Sequence, residues 1–254
     1  MAPSDAPLDA DALGDVMVTN AGSGEVADLR SLVGTGRCLV AFLTHLGDFD
    51  SWEYAQALRP RLAAMEADSK VKVVVVAIGS PESGRLFCEL TGLPDDVLWM
   101  DPDATSYKRM SFEPGLKLGG EQPVNPYVRL MAMCAGLGSP GTLPEVFRGY
   151  LGDRGVGQVW KGDSYDPRPL PFPAGAFDVV GRGYQRPFEL ATLRLLNMAD
   201  ILARWDKLKP AEDELILQRG GTVVLDGGRR VWMHKDRGIL GYANVDTALQ
   251  KAMV

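Results

Sequence analysis

The stretches CLVAFL at residues 38–43 and VKVVVVAI at residues 71–78 decide the fold. Both are continuous apolar runs that are short for a helix, and such runs are typical of buried parallel strands. The segment between them carries apolar residues at helical spacing, at Trp52, Ala55, Leu58, Leu62 and Met65. The sequence therefore predicts a strand–helix–strand unit, with Pro60 as a kink inside the helix.

The other predicted elements extend outward from this unit. A serine and a proline at residues 80–81 are a typical cap and first position of a helix, and DDVLWMD at residues 95–101 predicts a short strand. A glycine pair at residues 227–228 lies between two strand-like runs, which predicts a β-hairpin, and a closing helix is expected over residues 245–253. This order predicts the α/β class, with a central mixed sheet flanked by helices.

A long helix, the longest of the chain, is predicted to begin at Pro187 and to end near Lys209. Its main apolar stripe, expected to face the sheet, recurs at alternating spacings of three and four, at Phe188, Ala191, Leu195, Met198, Leu202 and Trp205. A second apolar set lies beside the stripe, at Leu190, Leu193, Leu196 and Ile201. The apolar surface is wider than one sheet face needs, so we expect the long insertion at residues 112–175 to pack over it, and the alternative is that a partner covers it.

Length and composition are those of one globular domain. The chain has 254 residues, a net charge of −6, three cysteines and two histidines. The charge argues against nucleic-acid binding, the scarcity of cysteine and histidine argues against a metal site, and no apolar run is long enough for a membrane span. Residues 1–23 are expected to be a flexible segment without a signal or transit peptide, followed by a single domain over residues 24–254.

Residues 112–175 form a Gly/Pro-rich stretch that holds 12 of the 29 glycines and 9 of the 17 prolines. Because it also carries many aromatic and apolar residues, we expect a long ordered insertion with one short helix over residues 143–151. GLGSPG at residues 136–141 matches G-x-G-x-x-G, yet it follows no apolar strand and contains a proline, so a tight turn is expected. Insertions of this kind are frequent sites of recognition, and the candidate partner-binding residues are Leu143, Phe147, Arg148, Tyr150 and Arg154.

Several strings resemble one family. FLTHLGDFDSWE at residues 42–53 is similar to the active-site turn of the peroxiredoxin-like alkyl hydroperoxide reductase/thiol-specific antioxidant proteins, in which F-x-x-H-x-G runs into C-P-x-C. RGGTVVLD at residues 219–226 resembles the hairpin entry of that family, and HKDRG at residues 234–238 resembles its tail. Residues 125–153 and 186–202 further resemble the plant and algal chloroplast branch. The resemblance covers residues 24–252 and implies a thioredoxin-like fold.

The resemblance places the two cysteines of that turn at Asp48 and Ser51, so neither thiol is present. A carboxylate cannot attack peroxide as a thiolate does, and a serine hydroxyl is a far poorer nucleophile. No catalytic residue is therefore expected in this degenerate turn. His45 is expected to be a hydrogen-bonded structural residue, and Arg219, which resembles the substrate-polarising arginine of the family, is expected to pair with a carboxylate such as Asp48. The alternative is an acid–base role for His45 or for Asp48 with Asp50.

The sequence thus favours a non-catalytic thioredoxin-fold protein that acts as a binding, assembly or repair factor, without a cofactor. The resemblance to the chloroplast branch implies a place in the stroma or on the stromal face of the thylakoid. The implied partner is a photosystem or another thylakoid complex, with peripheral membrane association. The alternative is a divergent thiol-dependent antioxidant that uses a relocated cysteine, Cys134 or Cys88, whereas Cys38 is expected to lie in the core.

Overall fold

A computed structural model describes residues 10–68, 71–120, 124–160, 173 and 175–254. Within them the chain forms one seven-stranded sheet, in the order β2-β1-β5-β4-β3-β6-β7. Its strands are β1 (Met17–Asn20), β2 (Val26–Asp28), β3 (Cys38–His45), β4 (Lys72–Ile78), β5 (Leu98–Met100), β6 (Gly221–Asp226) and β7 (Arg229–Lys235).

The helices pack on both faces of the sheet. They are α1 (Leu29–Val33), α2 (Phe49–Asp68), α3 (Pro81–Thr91), α4 (Thr105–Arg109), α5 (Pro126–Cys134), α6 (Thr142–Leu151), α7 (Glu189–Ala203), α8 (Trp205–Leu208) and α9 (Val245–Met253). Single 3-10 turns lie at Asp11–Leu13, Ala176–Val180 and Asp213–Leu217.

The predicted strand–helix–strand unit is confirmed as β3-α2-β4. β3 and β4 pair in parallel, with Leu39 opposite Val73, and β3 is buried along its whole length. β6 pairs antiparallel with β3, and β7 pairs antiparallel with β6. The order β4-β3-β6-β7 with these directions is the core of a thioredoxin-like fold, so the predicted fold class is confirmed.

The predicted hairpin is also confirmed. Gly227 and Gly228 both have positive φ angles, of 58° and 75°. A two-residue turn that needs positive φ at both positions is the type I′ geometry, which glycine adopts without steric cost. The turn sets the register of β6 against β7. β6 in turn positions Arg219, which lies two residues before the strand begins.

The N-terminal boundary requires a correction. Residues 17–20 form β1, which pairs with β5 inside the sheet, and Leu13, Val16 and Val18 are buried in the core. The segment predicted to be flexible to residue 23 therefore joins the fold from residue 10 onward, because its alternate apolar residues complete one face of the sheet. Residues 1–9 lie outside the described residues.

The helix predicted after Pro187 is shorter than expected. It is interrupted at Arg204, whose φ of −128° is not helical, so that α7 and α8 are separate helices. The longest helix of the described residues is α2, with 20 residues including Pro60.

The two apolar stripes of α7 are exchanged relative to the prediction. Leu190, Leu193 and Ile201 are buried, whereas most of the main stripe points to solvent. Val159 and Trp160 of the predicted insertion cover Leu190, Leu193 and Leu196. The insertion therefore covers three of the four residues of the second set, as expected, while Ile201 packs in the main core. The stripe expected to face the sheet is the exposed one.

The predicted insertion is ordered where it is described. It contains α5, which the sequence analysis did not predict, and α6, which matches the predicted short helix. The G-x-G-x-x-G string forms the turn between these two helices, with positive φ at Gly136, Gly138 and Gly141. Residues 161–172 and 174 lie outside the described residues, so the predicted extent of the insertion stays a prediction.

Candidate functional site

The degenerate turn joins the end of β3 to the start of α2, and its side chains are buried. The Asp48 carbonyl accepts a hydrogen bond from the Trp52 amide, which closes the first turn of α2. The Ser51 hydroxyl donates to the His45 carbonyl at 3.0 Å and lies 2.9 Å from the Thr44 hydroxyl. Ser51 is fully buried and tied to the strand that precedes it, so it has no access to a solvent-borne substrate.

The Arg219 guanidinium organises the site. Its Nη2 donates to Asp48 Oδ2 at 2.7 Å, and its Nη1 lies 3.4 Å from Asp50 Oδ2. The pairing with Asp48 that the sequence predicts is confirmed. Nε of the same group donates to the Leu217 carbonyl at 3.1 Å, so Arg219 also holds the chain just before β6.

Two further carboxyls complete the cluster. Asp50 Oδ1 accepts a hydrogen bond from the Leu240 amide at 2.7 Å, which ties the start of α2 to the tail after β7. Asp236 directly follows β7 and is only 3% exposed. Its Oδ1 has no hydrogen-bond partner among the described residues. His234 Nε2 lies 3.6 Å from this oxygen.

The carboxyls of the cluster differ in the direction in which their pKa values are shifted. Burial disfavours the charged form of Asp48, but the Arg219 guanidinium holds the pKa of its carboxyl below the usual value. Burial and the Asp48 charge raise the pKa of Asp50 well above its usual value. Burial raises the pKa of Asp236 to about 8. The Asp48–Arg219 ion pair is therefore the charged centre of the cluster, and burial disfavours the charged forms of the two neighbouring carboxyls.

His45 is a buried structural residue. Its Nδ1 accepts a hydrogen bond from the Gly47 amide at 3.2 Å, and its ring meets the edge of Trp205 at a centroid distance of 5.8 Å. Burial lowers the pKa of His45 to about 4, so the ring is neutral at physiological pH. This matches the hydrogen-bonded role that the sequence favoured over acid–base work.

The turn is covered by the helix that the sequence analysis missed. A small apolar cluster formed by Met133, Ile216, Leu217, Ile239 and Leu240 joins α5 to the turn at Asp213–Leu217 and to the tail. Cys134 packs at its edge, and the charges of Asp48 and Arg219 act on its thiol. The predicted insertion therefore lies over the place at which peroxide reaches a reactive thiol in the proteins that the turn resembles.

The three cysteines are free thiols in different surroundings. Cys38 is buried in β3, as expected, and Cys88 is buried in α3. Burial raises the pKa of each of these two thiols to about 12. Cys134 is partly exposed, and burial also raises the pKa of its thiol. Of the two relocated candidates, only Cys134 lies beside the degenerate turn and keeps some access to solvent.

The candidate partner-binding residues lie on and after α6. Leu143, Phe147 and Tyr150 are exposed on one side of the helix, together with Leu151. The Tyr150 ring meets the Phe188 ring edge-on at 6.0 Å, which links α6 to the start of α7. The outer side of α6 is thus an apolar surface.

The two arginines of the candidate set are held in place. Arg148 pairs with Glu145 at 2.6 Å and donates to the Gln185 side chain at 2.5 Å, while the Arg154 guanidinium lies 5.2 Å from the centre of the Tyr184 ring. Both cations therefore stiffen the surface rather than extend freely from it.

The described residues contain neither a metal site nor a membrane-spanning helix. No group of three or more histidine, cysteine, aspartate or glutamate side chains there has the geometry of a metal site. Within the same residues, no helix is both long and apolar enough to span a bilayer.

The fold and the turn define the class: this is a thioredoxin-fold protein whose turn after the first core strand resembles the peroxiredoxin site, with an ion pair at its centre. The model of the AhpC/TSA antioxidant enzyme family matches residues 57–238, more than half of the chain, so the chain belongs to this family. The match begins within α2 and includes Arg219 and Asp236, and the turn itself precedes it.

Individual proteins are more distant. The chain is 16% identical to a solved structure, a cysteine-to-serine mutant of peroxiredoxin Q from Xanthomonas campestris, over 45% of this chain and 69% of that one, with a TM-score of 0.36. No curated protein gives a significant match.

Sequence reasoning missed Asp236, whose buried carboxyl completes the cluster and has a pKa raised to about 8. Its only signal was its place in the HKDRG string, two residues after a histidine. It also missed buried polar pairs such as Arg194 with Glu53, at 2.7 Å, whose members are distant in sequence.

Proposed function

We propose that this protein acts by binding another protein, and that thiol peroxidase chemistry at the turn after β3 is not its function. The observation that carries the proposal is the Asp48–Arg219 ion pair. By the resemblance, the arginine of this site polarises peroxide beside a thiolate. Here the guanidinium is buried, holds a carboxylate at 2.7 Å and is packed beneath α5, so neither a nucleophile nor a free cation faces solvent.

The outer side of α6 supports the binding role. Phe147 is 60% exposed and Leu151 is 73% exposed on a helix whose opposite side is packed against α7. Exposed aromatic and leucine side chains that adjoin each other are typical of protein-binding surfaces, where aromatic residues contribute most to affinity. The argument for α6 therefore comes from the surface itself, independently of the degenerate turn.

The partner that we propose is a photosynthetic complex of the thylakoid, met from the stromal side during assembly or repair. The support for this choice is the similarity of residues 125–153 and 186–202 to the chloroplast branch of the family. The first range contains α6, and the second contains all of α7 except its last residue. The first of these segments thus carries the proposed binding surface on α6.

The test is a binding assay with isolated thylakoids. The purified protein is mixed with washed thylakoid membranes, sedimented and quantified against its concentration. We expect saturable binding that Phe147→Asp weakens at least thirtyfold, the effect of removing an interface hot spot. Met253→Asp is the matched control, since Met253 is also exposed, at 58%, but lies on α9. Binding that is absent, or equally strong in both variants, contradicts the proposal.

Pretreatment of the membranes with trypsin tests the class of partner. Loss of binding after cleavage of the exposed thylakoid proteins supports a protein partner. Binding that survives the treatment indicates the lipid surface and contradicts the proposal.

The second candidate is a thiol-dependent antioxidant that uses Cys134. It is favoured by one observation, the partial exposure of Cys134 within reach of the Asp48 and Arg219 charges. Peroxide-dependent oxidation of dithiothreitol separates the two functions. Turnover that Cys134→Ser abolishes and Cys88→Ser leaves intact establishes the second candidate and overturns the first.

A further inference from the structure

The exposed stripe of α7 has the spacing of a helix-pairing seam. Phe188 is 59% exposed, Leu195 63%, Met198 36% and Leu202 66%. Within α7, Ala191, Leu195, Met198 and Leu202 recur at spacings of four, three and four, and Phe188, one residue before the helix with a φ of 63°, continues the apolar surface at its N-terminal end. Alternating spacings of three and four are the a and d positions of a heptad, which keep one apolar seam facing a second helix.

This seam is additional to the packing that the fold requires. α7 already buries a different side, formed by Leu190, Leu193, Asn197 and Ile201. On that side Asn197 exchanges hydrogen bonds of 3.0 Å with Gln56 on α2, which fixes the rotation of the helix on the core. The seam therefore stays on the outer side of α7, where its side chains are exposed in the single chain.

Charge decides between a lipid surface and a protein. Membrane-bound amphipathic helices carry cationic residues along their polar face. The arginines of α7 and its C-terminal boundary are engaged with acids instead: Arg194 pairs with Glu53, and Arg204 pairs with Asp200 at 2.7 Å. A seam bordered by neutralised charges fits an apolar protein surface.

Area and self-complementarity indicate the occupant. With about 200 Å² for a fully exposed large apolar side chain, the seam offers roughly 450 Å² of apolar surface. A stable interface buries about 800 Å² on each partner, of which a little over half is apolar, so the seam alone supplies that share. In their sequences, residues 1–9 and 161–172 carry no apolar stripe with heptad spacing, so neither matches the seam.

We infer that α7 forms an isologous interface with α7 of a second copy of this chain. In such a dimer the two helices cross antiparallel about a two-fold axis near Leu195, the central residue of the seam. Each seam then meets an identical neutral seam, the arrangement that a closed two-fold dimer requires. The inference is independent of the thylakoid partner, since it rests on α7 and requires no other protein.

Analytical ultracentrifugation over 1–100 μM tests the dimer. We expect a mass twice that of the 27.5 kDa chain, and a rise of at least thirtyfold in the dissociation constant for Leu195→Asp. Because Leu195 is exposed in the single chain, its replacement places no charge in the core. Leu202→Asp is the second variant, for use if the first does not fold, and Met253→Asp is the control that should remain dimeric.

Crosslinking tests the geometry of the axis. Leu195→Cys is expected to give a disulfide-linked dimer on mild oxidation, and Met253→Cys is expected to stay monomeric. A 27.5 kDa species at 100 μM overturns the inference. So does a dimer whose dissociation constant neither seam variant changes.

Discussion

Replacing Arg219 by methionine should destabilise the protein more than any exposed arginine replacement. Methionine retains much of the length of the side chain but none of its charge or donors. The change leaves Asp48 and Asp50 in a buried site without their cation, and it leaves the carbonyls of Ile216 and Leu217 without a donor that lies 3.4 and 3.1 Å away. Each of these losses acts on the folded state alone.

The expected loss follows from the burial of the pair. Removing one partner of a buried ion pair costs about 3–5 kcal/mol, since the remaining charge stays desolvated. For a domain of this size each kcal/mol lowers Tm by about 2–4 °C. Arg219→Met should therefore lower Tm by roughly 6–20 °C, out of a total stability that is typically about 5–15 kcal/mol.

Urea unfolding at pH 7, followed by circular dichroism, measures the effect. Arg30→Met is the matched control, because Arg30 pairs with Asp11 at 2.8 Å on the surface, where both side chains are about half exposed. That pair should contribute less than about 1 kcal/mol. The double variant Arg219→Met with Asp48→Asn should lose less than the sum of the single losses, since the two charges leave together. Equal losses for Arg219→Met and Arg30→Met refute the reasoning.

Three further outcomes are expected. Burial raises the pKa of Asp236 to about 8, so between pH 6.5 and 8 the folded protein holds a proton that the unfolded chain has released. The free energy of unfolding should therefore fall as pH rises over this range, by up to about 1.4 kcal/mol per pH unit. Urea unfolding of Asp236→Asn should show a flatter pH dependence, and an unchanged slope contradicts this. At pH 8 the three thiols should react with Ellman's reagent far more slowly in the folded protein than in urea, with Cys134 first; equal rates contradict the burial argument. A Cβ at Gly220 would lie 2.0 Å from a backbone oxygen of β3, so Gly220→Ala should lower the free energy of unfolding by more than about 2 kcal/mol in the same urea assay. Gly36→Ala is the control, because a Cβ at Gly36 would meet no atom within 4 Å. Equal losses in the two variants contradict the clash.

The central part of the fold was predictable because its signals are local. CLVAFL and VKVVVVAI became β3 and β4, since continuous apolar runs require burial on both faces of a sheet. The glycine pair at residues 227–228 became the hairpin turn because the turn requires positive φ angles at both positions, which glycine adopts readily. α5 was missed inside the Gly/Pro-rich stretch, although Asn125 and Pro126 form a regular helix start: the Asn125 side chain accepts from the Tyr127 amide.

The orientation of α7 was wrong for a different physical reason. Its core side contains Asn197 and Glu189, which look like solvent-exposed residues in the sequence. Both are satisfied inside, Asn197 by Gln56 and Glu189 by Arg186 at 2.5 Å. Burying a polar side chain costs little free energy when it has a hydrogen-bond partner. Here the partners lie on α2 and in the loop before α7, so the sequence of α7 alone does not show them. Apolar periodicity shows that a helix has a seam, and it does not show whether the seam faces the core or a partner.

The candidate site was predictable in pairs but not as a whole. Arg219 with Asp48 followed from the resemblance, whereas the contributions of Asp236 and Leu240 depend on the return of the chain after β7. This return gives the ion pair a structural role. Asp50 accepts from the Leu240 amide, so one of the carboxyls that contact the guanidinium also anchors the tail over the turn. Arg219 itself joins the start of α2 to the carbonyls of Ile216 and Leu217. A cation engaged in this way has little freedom to bind a substrate, so the exposed faces of α6 and α7 are the better candidates for function.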